Sequence, residues 1–324
     1  KVRPANAAII PAHVDGRDMV LADEVSSDSM TSGYASTAAS VTPFAGPRKP
    51  AAKKSADKSA DEARSPQAKM SEPVAALAAM GGSGLVDIVA RYGEHPELFD
   101  DDIVVQLGGE VVRSYENFAM RAIRLPANAL IELAVEENVD WLSLDDTVSG
   151  FSVASREAAN LPTVASANAG YSGTDVGIAV IDTGVSSHSD LDGNILQYSF
   201  LGGSYPTPLI ENGELVDYRD DPRDDGFGHG THVAGILSGD GINANEESDG
   251  SAKDAHILAL QVLDHKGAGS MSDVMAALDW LLDYGSYFDI RVVNLSLGMG
   301  IAESNTTDPL VLAVERLWDA GMVV

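Results

Sequence analysis

The chain has 324 residues, no cysteine and a formal net charge of −28. The lack of cysteine excludes disulfides and a cysteine nucleophile, and no apolar run reaches the roughly 18 residues expected of a transmembrane helix. The acidic excess is greatest over residues 165–324, where 25 acidic side chains face 6 basic ones. Such a surface repels nucleic acid and anionic membranes, so we expect neither as a partner.

The first 82 residues show no clear pattern of a helix or a strand. Residues 1–25 have scattered apolar side chains, and residues 26–75 are rich in Ser, Ala, Thr, Pro and Lys. This composition cannot bury enough surface to offset the entropy of ordering, so residues 1–82 are interpreted as an unassigned segment and a disordered linker. Lys1 is not an initiator methionine and no signal-peptide pattern follows it, which indicates a chain that is processed or incomplete at its front.

Residues 83–148 are predicted to form a small α+β domain. The order β-α-β-β-α-β within about 70 residues is that of the ferredoxin-like fold. The small and polar residues 149–170 are interpreted as a linker. Strands are predicted at 85–92, 110–115, 118–125 and 139–144, and helices at 96–107 and from Pro126.

From Asp175 the pattern alternates between strands and helices, which predicts an α/β fold with a parallel sheet and helices on both faces. Residues 176–181 form a continuous apolar and partly β-branched run that ends at Asp182, typical of a strand buried on both faces. Further strands are predicted at 256–264 and 291–298, and helices at 271–282 and 308–321.

Asp182 ends the strand at 176–182, and Thr183-Gly184 starts a turn after it. Open α/β sheets have their sites beyond the carboxyl ends of the strands. A buried aspartate there can fix the tautomer of a histidine and stabilise the imidazolium that forms in acyl transfer. The simpler interpretation is an aspartate that only caps the next turn.

His229 lies between Gly228 and Gly230, at the predicted start of a helix. Glycine on both sides allows a substrate backbone to approach the ring closely, and imidazole readily accepts and returns a proton near neutral pH. Thr231 is predicted to cap the helix. The alternatives are a surface turn and a metal pair with His232, although zinc helices space their histidines four apart around a glutamate.

The segments 182–184, 229–235 and 292–298 together resemble the subtilisin-like serine protease family, the subtilases. They read Asp-Thr-Gly, His-Gly-Thr-His-Val-Ala-Gly and Val-Val-Asn-Leu-Ser-Leu-Gly. The resemblance implies a serine endopeptidase that hydrolyses protein or peptide substrates through an acyl-enzyme. Asp182 and His229 would be the first two members of an Asp-His-Ser triad.

The resemblance also implies that Ser296, Leu297 and Gly298 bind substrate, since this part of the family's motif pairs with a peptide as an added β-strand. Ser296 is not expected to be the nucleophile, because it lies within a strand pattern instead of a tight turn into a helix.

By the same resemblance, residues 83–148 would be a propeptide that assists folding and blocks the cleft until it is removed from a secreted zymogen. Residues 149–170 would contain the maturation junction. The family's oxyanion Asn and nucleophile Ser lie beyond the position of Val324, so residues 171–324 are expected to be a C-terminally truncated half of the peptidase domain. That fragment should be inactive alone.

No cofactor is required by this chemistry, and a structural calcium ion bound by Asp190 is the one metal that the resemblance suggests. The rest of such a site, expected in 240–250, does not match clearly. Two other functions remain open. One is a non-catalytic binding protein with a subtilase fold, and the other is a metal-dependent hydrolase that uses His229, His232 and acidic residues.

Overall fold

The computed structural model of the protein describes the residues from 65 onward with five gaps. The predicted linker up to residue 64, and residues 151–170 of the predicted maturation linker, lie outside the described residues. No helix in the described part is long and apolar enough to cross a bilayer. The described residues are 65–150, 172–191, 195–211, 214–217, 224–241 and 250–324.

A helix that the sequence pattern did not predict comes first. Helix α1 spans Glu72–Met80 and has Pro at its first turn. Val74 on this helix and Met70 before it are 0% and 5% exposed. The predicted disorder is therefore wrong for residues 65–82. A few apolar side chains are enough to order this segment, because the neighbouring domain covers them. Met70 forms a β-bridge with Leu142 of that domain.

The domain that follows contains four strands and two helices in the predicted order. The elements are β1 (Leu85–Tyr92), α2 (Leu98–Gln106), β2 (Glu110–Ser114), β3 (Met120–Pro126), α3 (Leu130–Val135) and β4 (Val139–Leu144). The sheet has the strand order β2-β3-β1-β4, with all neighbours antiparallel. The apolar faces of the helices and the sheet form one core that includes Ile88, Leu130 and Leu142.

A parallel four-stranded sheet organises the second half of the chain, as predicted. Its strands are β6 (Gly177–Asp182), β7 (Ile195–Ser199), β10 (His256–Gln261) and β12 (Ile290–Leu295). They lie in the order β12-β6-β10-β7, and β6 is buried at all six positions. The helices are α4 (His229–Ser238), α5 (Met271–Tyr284) and α6 (Pro309–Asp319), and a hairpin of β8 (Leu209–Glu211) and β9 (Glu214–Asp217) follows β7.

Helices cover both faces of this sheet, so the side chains of β6 alternate between two cores. Ile178 and Val180 lie in the core that contains Val233 of α4. Ala179 and Ile181 lie in the core that contains much of α5, including Trp280. The double burial explains the unbroken apolar run of this strand.

A small third sheet joins the two halves of the chain. Strand β5 (Thr147–Gly150) lies between β11 (Ala268–Ser270) and β13 (Leu297–Gly298), antiparallel to both. Residues 149 and 150 are thus part of a strand and not of the predicted linker. The predicted strand at 291–298 is divided into β12 and β13 at Ser296.

Candidate functional site

Asp182 lies at the carboxyl end of the central strand β6, and its side chain is wholly buried. Its Oδ1 accepts a hydrogen bond of 2.7 Å from the backbone N–H of Thr183. Burial raises the pKa of Asp182, while hydrogen bonds from His229 and Thr183 oppose the rise. The strand therefore holds a carboxylate at the edge where α/β sheets have their sites.

His229 is the first residue of α4, and its ring faces Asp182. Nδ1 of the imidazole lies 2.8 Å from Oδ1 and 2.9 Å from Oδ2 of Asp182. Because a carboxylate only accepts hydrogen bonds, Nδ1 carries the proton and Nε2 is the basic nitrogen of the neutral ring. The structure thus brings together the two residues that the sequence singles out, 47 positions apart.

Backbone conformation and close packing explain why glycines flank His229, whereas the predicted reason was the close approach of a substrate. Gly228 has a φ of +94°, a conformation that side chains disfavour. At Gly230 a Cβ atom would come within 2.1 Å of the carbonyl oxygen of Gly184 and 3.2 Å of Cβ of Asp182. The second glycine therefore lets α4 begin directly against the turn that follows the aspartate.

The predicted cap at Thr231 is wrong, since the helix begins two residues earlier, at His229. The capping group is the carboxylate of Asp225, which accepts hydrogen bonds from the backbone N–H groups of Gly228 at 2.7 Å and Thr231 at 2.8 Å. Sequence reasoning missed Asp225. The available signal was an aspartate shortly before the helix, where such residues commonly cap free N–H groups.

Two of the three residues predicted to bind substrate already pair with a strand of this chain. Leu297 lies opposite Gly150 and Gly298 lies opposite Ser149. Ser296 precedes this strand and is 8% exposed, and its Oγ accepts a hydrogen bond of 2.9 Å from Nδ2 of Asn294.

The sequence did not predict that β11 would pair with the other edge of β5. Its residues Ala268 and Gly269 lie opposite Ser149 and Val148. The backbone N–H of Gly150 extends this pairing with a hydrogen bond of 3.2 Å to the carbonyl oxygen of Gly267. An extended peptide can therefore pair with both edges at once.

The end of β5 lies against His229. A Cβ atom built on Gly150 would lie 3.2 Å from Nδ1 and 3.4 Å from Cε1 of the imidazole. Strand β5 thus reaches the histidine with a residue that has no side chain.

The described residues offer no group of three His, Cys, Asp or Glu side chains that could hold a metal ion. Asp190 accepts the backbone N–H of Asp240 through its carbonyl oxygen at 3.1 Å. Residues 242–249 follow Asp240 closely in the chain and are outside the described part. They include most of the segment predicted to complete a calcium site. The calcium site at Asp190 remains a prediction.

The chain is similar in sequence to known proteins. Residues 173–322 match the sequence model of the subtilase family. Serine protease AprX of Bacillus subtilis (strain 168) is 27% identical over 234 residues, which are 68% of this chain and 50% of the relative. The thermophilic serine proteinase of Bacillus sp. (strain AK1) is 38% identical over 149 residues, 45% of this chain and 31% of the relative.

The fold also resembles a solved structure. Fervidolysin from Fervidobacterium pennivorans, a keratinolytic enzyme related to subtilisin, aligns with a TM-score of 0.53 at 19% identity, covering 74% of this chain and 39% of that one. At this identity the likeness concerns the fold alone. The chain spans about half the length of AprX, and 31% of the Bacillus sp. proteinase.

Proposed function

Because residues 173–322 belong to the subtilase family, whose matched relatives are serine proteases, we propose that this chain is the N-terminal part of a serine endopeptidase precursor. Asp182 and His229 would supply two members of its triad. The nucleophile would be a serine outside these 324 residues, and an Asn there would stabilise the oxyanion. The 324 residues alone would then have no peptidase activity.

In this reaction Nε2 of His229 takes the hydroxyl proton as the serine oxygen attacks the peptide carbonyl. The tetrahedral intermediate collapses, the proton passes to the leaving amine, and an acyl-enzyme remains. A water molecule then attacks the acyl-enzyme in the same way, with His229 as the base, and the carboxylic acid product is released. Asp182 keeps the proton on Nδ1, which directs the basic nitrogen towards the reaction and stabilises the imidazolium.

The observation that carries the proposal is the position of β5 between β11 and β13, with Gly150 against His229. A substrate that binds as an added strand would need the same backbone groups. Since the segment before the peptidase region fills them, the domain at 83–148 is well placed to act as an inhibitory propeptide. A precursor of this kind would be inactive until the segment is cut and released.

Helix α5 supports this interpretation, because its buried Asp279 anchors the β2–β3 turn. The side chain of Asp279 is 0% exposed, and its two oxygens accept the backbone N–H groups of Glu116 at 2.9 Å and Asn117 at 2.8 Å. Burial raises the pKa of Asp279, against the effect of these two hydrogen bonds.

A second anchor lies at the start of the same helix. Arg113 of β2 is 7% exposed and pairs with the carboxylate of Asp273. Its guanidinium also donates to the carbonyl oxygens of Phe200 at 2.6 Å and Ser204 at 3.1 Å. A buried arginine with three partners, all on the peptidase region, favours tight docking of the small domain.

Secretion and a structural calcium ion at Asp190 are further parts of the proposal. Two matched relatives from Bacillus subtilis (strain 168) are named minor extracellular proteases, Vpr at 33% identity over 210 residues and Epr at 35% over 162 residues. Extracellular proteases meet calcium at concentrations that weak surface sites can use.

The test is peptide hydrolysis by the full-length protein that contains the downstream serine, compared with its His229→Ala and His232→Ala variants. His232 lies on the same turn with an exposed side chain, which makes it a matched control. We expect His229→Ala to lose at least about 10³-fold in kcat and to stop cleavage of its own precursor. Equal turnover in the two variants would show that His229 is not the catalytic base, and no turnover in the parent would favour the non-catalytic binding protein.

A further inference from the structure

The start of helix α4 is held by a side chain that lies outside the triad. The first N–H groups of any helix have no partner within it, and Gly228, at the N-cap position, has no side chain to offer. Asp225 accepts the N–H of Gly228 at Oδ1 and the N–H of Thr231 at Oδ2. A longer hydrogen bond of 3.3 Å comes from the N–H of Phe227. The carboxylate therefore fixes the turn that contains His229.

The same carboxylate connects this turn to the end of strand β6. The Oγ1 of Thr183, the residue after Asp182, donates to Oδ1 of Asp225 at 2.7 Å. That hydroxyl also accepts the backbone N–H of Gly230, the residue after His229, at 2.9 Å. One threonine thus joins the neighbours of both triad residues and Asp225.

A second hydroxyl repeats this arrangement on the other oxygen. The Oγ1 of Thr231 donates to Oδ2 of Asp225 at 2.6 Å and accepts the backbone N–H of Ser186 at 3.0 Å. Ser186 belongs to the turn that follows β6, and its own Oγ accepts the N–H of Asp225 at 3.1 Å. The strand end and the helix start are linked at both carboxylate oxygens.

We infer that Asp225 is a positioning residue for His229: it holds the first turn of α4 against the end of β6, so that the imidazole reaches Asp182. Its part in proteolysis rests on the function proposed above. Its effect on the geometry of the imidazole does not, because the contacts lie within the described residues.

The network needs the ionised form of Asp225. Five donors point at its two oxygens, and only a carboxylate can accept at both atoms without offering a proton. Burial pushes the pKa of Asp225 up, but hydrogen bonds from Thr231, Gly228 and Thr183 outweigh that effect and hold it below the ordinary value. An asparagine has an NH₂ group in place of one carboxylate oxygen, so this group would face N–H and O–H donors without being able to accept from them.

The experiment is NMR of the 324-residue chain with ¹⁵N-labelled histidine. The readout is the Nδ1 proton of His229, whose downfield position depends on its hydrogen bond to Asp182. We expect Asp225→Asn to lose this resonance or shift it upfield. The matched control is Asp224→Asn, which removes the same charge from an exposed neighbour that takes no part in the network.

Thr183 provides a second pair of variants in case Asp225→Asn fails to fold. Thr183→Val removes the hydroxyl at nearly constant volume and should weaken the same resonance, whereas Thr183→Ser retains the hydroxyl and should restore it. A helix cap with a purely structural role would lower the melting temperature and leave the resonance of the folded protein unchanged. An unchanged resonance in folded Asp225→Asn, or in Thr183→Val if the first variant does not fold, overturns the inference.

The full-length protein adds a kinetic readout. Displacing a reacting group by about 1 Å costs on the order of 100-fold in rate, so Asp225→Asn should lower kcat by about 10- to 100-fold with little change in KM. Absence of activity in the parent protein would refute the proposed function, while the NMR result would still decide whether Asp225 positions the imidazole.

Discussion

Gly150 lies against the imidazole of His229, and a Cβ atom at this position would come within 3.2 Å of Nδ1. Such a contact is tighter than side chains normally make, so the ring would have to yield even to a methyl group. The last described residue of β5 therefore reaches the histidine only because it is a glycine. This contact connects the small N-terminal domain directly to the proposed chemistry.

The first prediction follows from this contact. We expect Gly150→Leu to displace β5 from the end of the cleft and to weaken inhibition in the full-length precursor. Its peptide hydrolysis before maturation should rise by about tenfold or more, the equivalent of about 1.4 kcal/mol of lost docking. Ser149→Leu is the control, since that side chain is exposed on the same strand. Equal latency in both variants would contradict the proposed inhibition.

The second prediction concerns docking of the small domain through Arg113. Breaking a buried ion pair by removing one partner typically costs about 3–5 kcal/mol, and Arg113→Met also leaves the carbonyl oxygens of Phe200 and Ser204 without this donor. We therefore expect a loss of about 3 kcal/mol or more in urea unfolding of this chain. Arg124→Met should change stability far less, because its pair with Asp87 is half-exposed at 43% for each side chain.

The third prediction compares two aspartates with opposite pKa shifts. Asp225 has a lowered pKa, so its ionisation stabilises the folded state above its unfolded pKa, near 3.8. That contribution is lost as the pH falls through the folded pKa. Asp279 has a raised pKa, so its contribution is fully present below 3.8 and is lost as the pH rises through the folded value.

The measurement is the free energy of unfolding between about pH 2 and pH 7, for the parent chain and for Asp225→Asn and Asp279→Asn. The difference between parent and variant should grow with pH for Asp225 and shrink with pH for Asp279. Slopes of the same sign for both residues would show that one of the two assigned shifts is wrong.

The fourth prediction tests the calcium proposal. Calcium at about 100 times its dissociation constant would add about 2.7 kcal/mol to the free energy of unfolding, and EDTA should remove this gain. Asp190→Asn should abolish the response, while Asp254→Asn, which changes an exposed aspartate elsewhere, should keep it. A melting temperature that is the same in calcium and in EDTA would remove calcium from the proposal.

Much of the fold was predictable because its signals are local in the chain. The run at 176–181 has no charged or polar side chain, and the structure buries all six residues of β6. The Asp-Pro pair at 308–309 begins helix α6, where Asp308 accepts the N–H groups of Leu310 and Val311. Helix α1 was missed because residues 74–80 are apolar without the alternating polar face of a surface helix, and the burial of Val74 depends on packing into the core of the small domain.

The sequence by itself determined the parallel α/β sheet and singled out Asp182 and His229, because strand periodicity and the glycine-flanked histidine are properties of short segments. Only the tertiary structure decided what surrounds them. Gly150 meets Leu297 across 147 positions of the chain and Asp225 meets Thr183 across 42. No local pattern specifies such pairs, since they depend on which surfaces pack together once the sheet and its helices have formed.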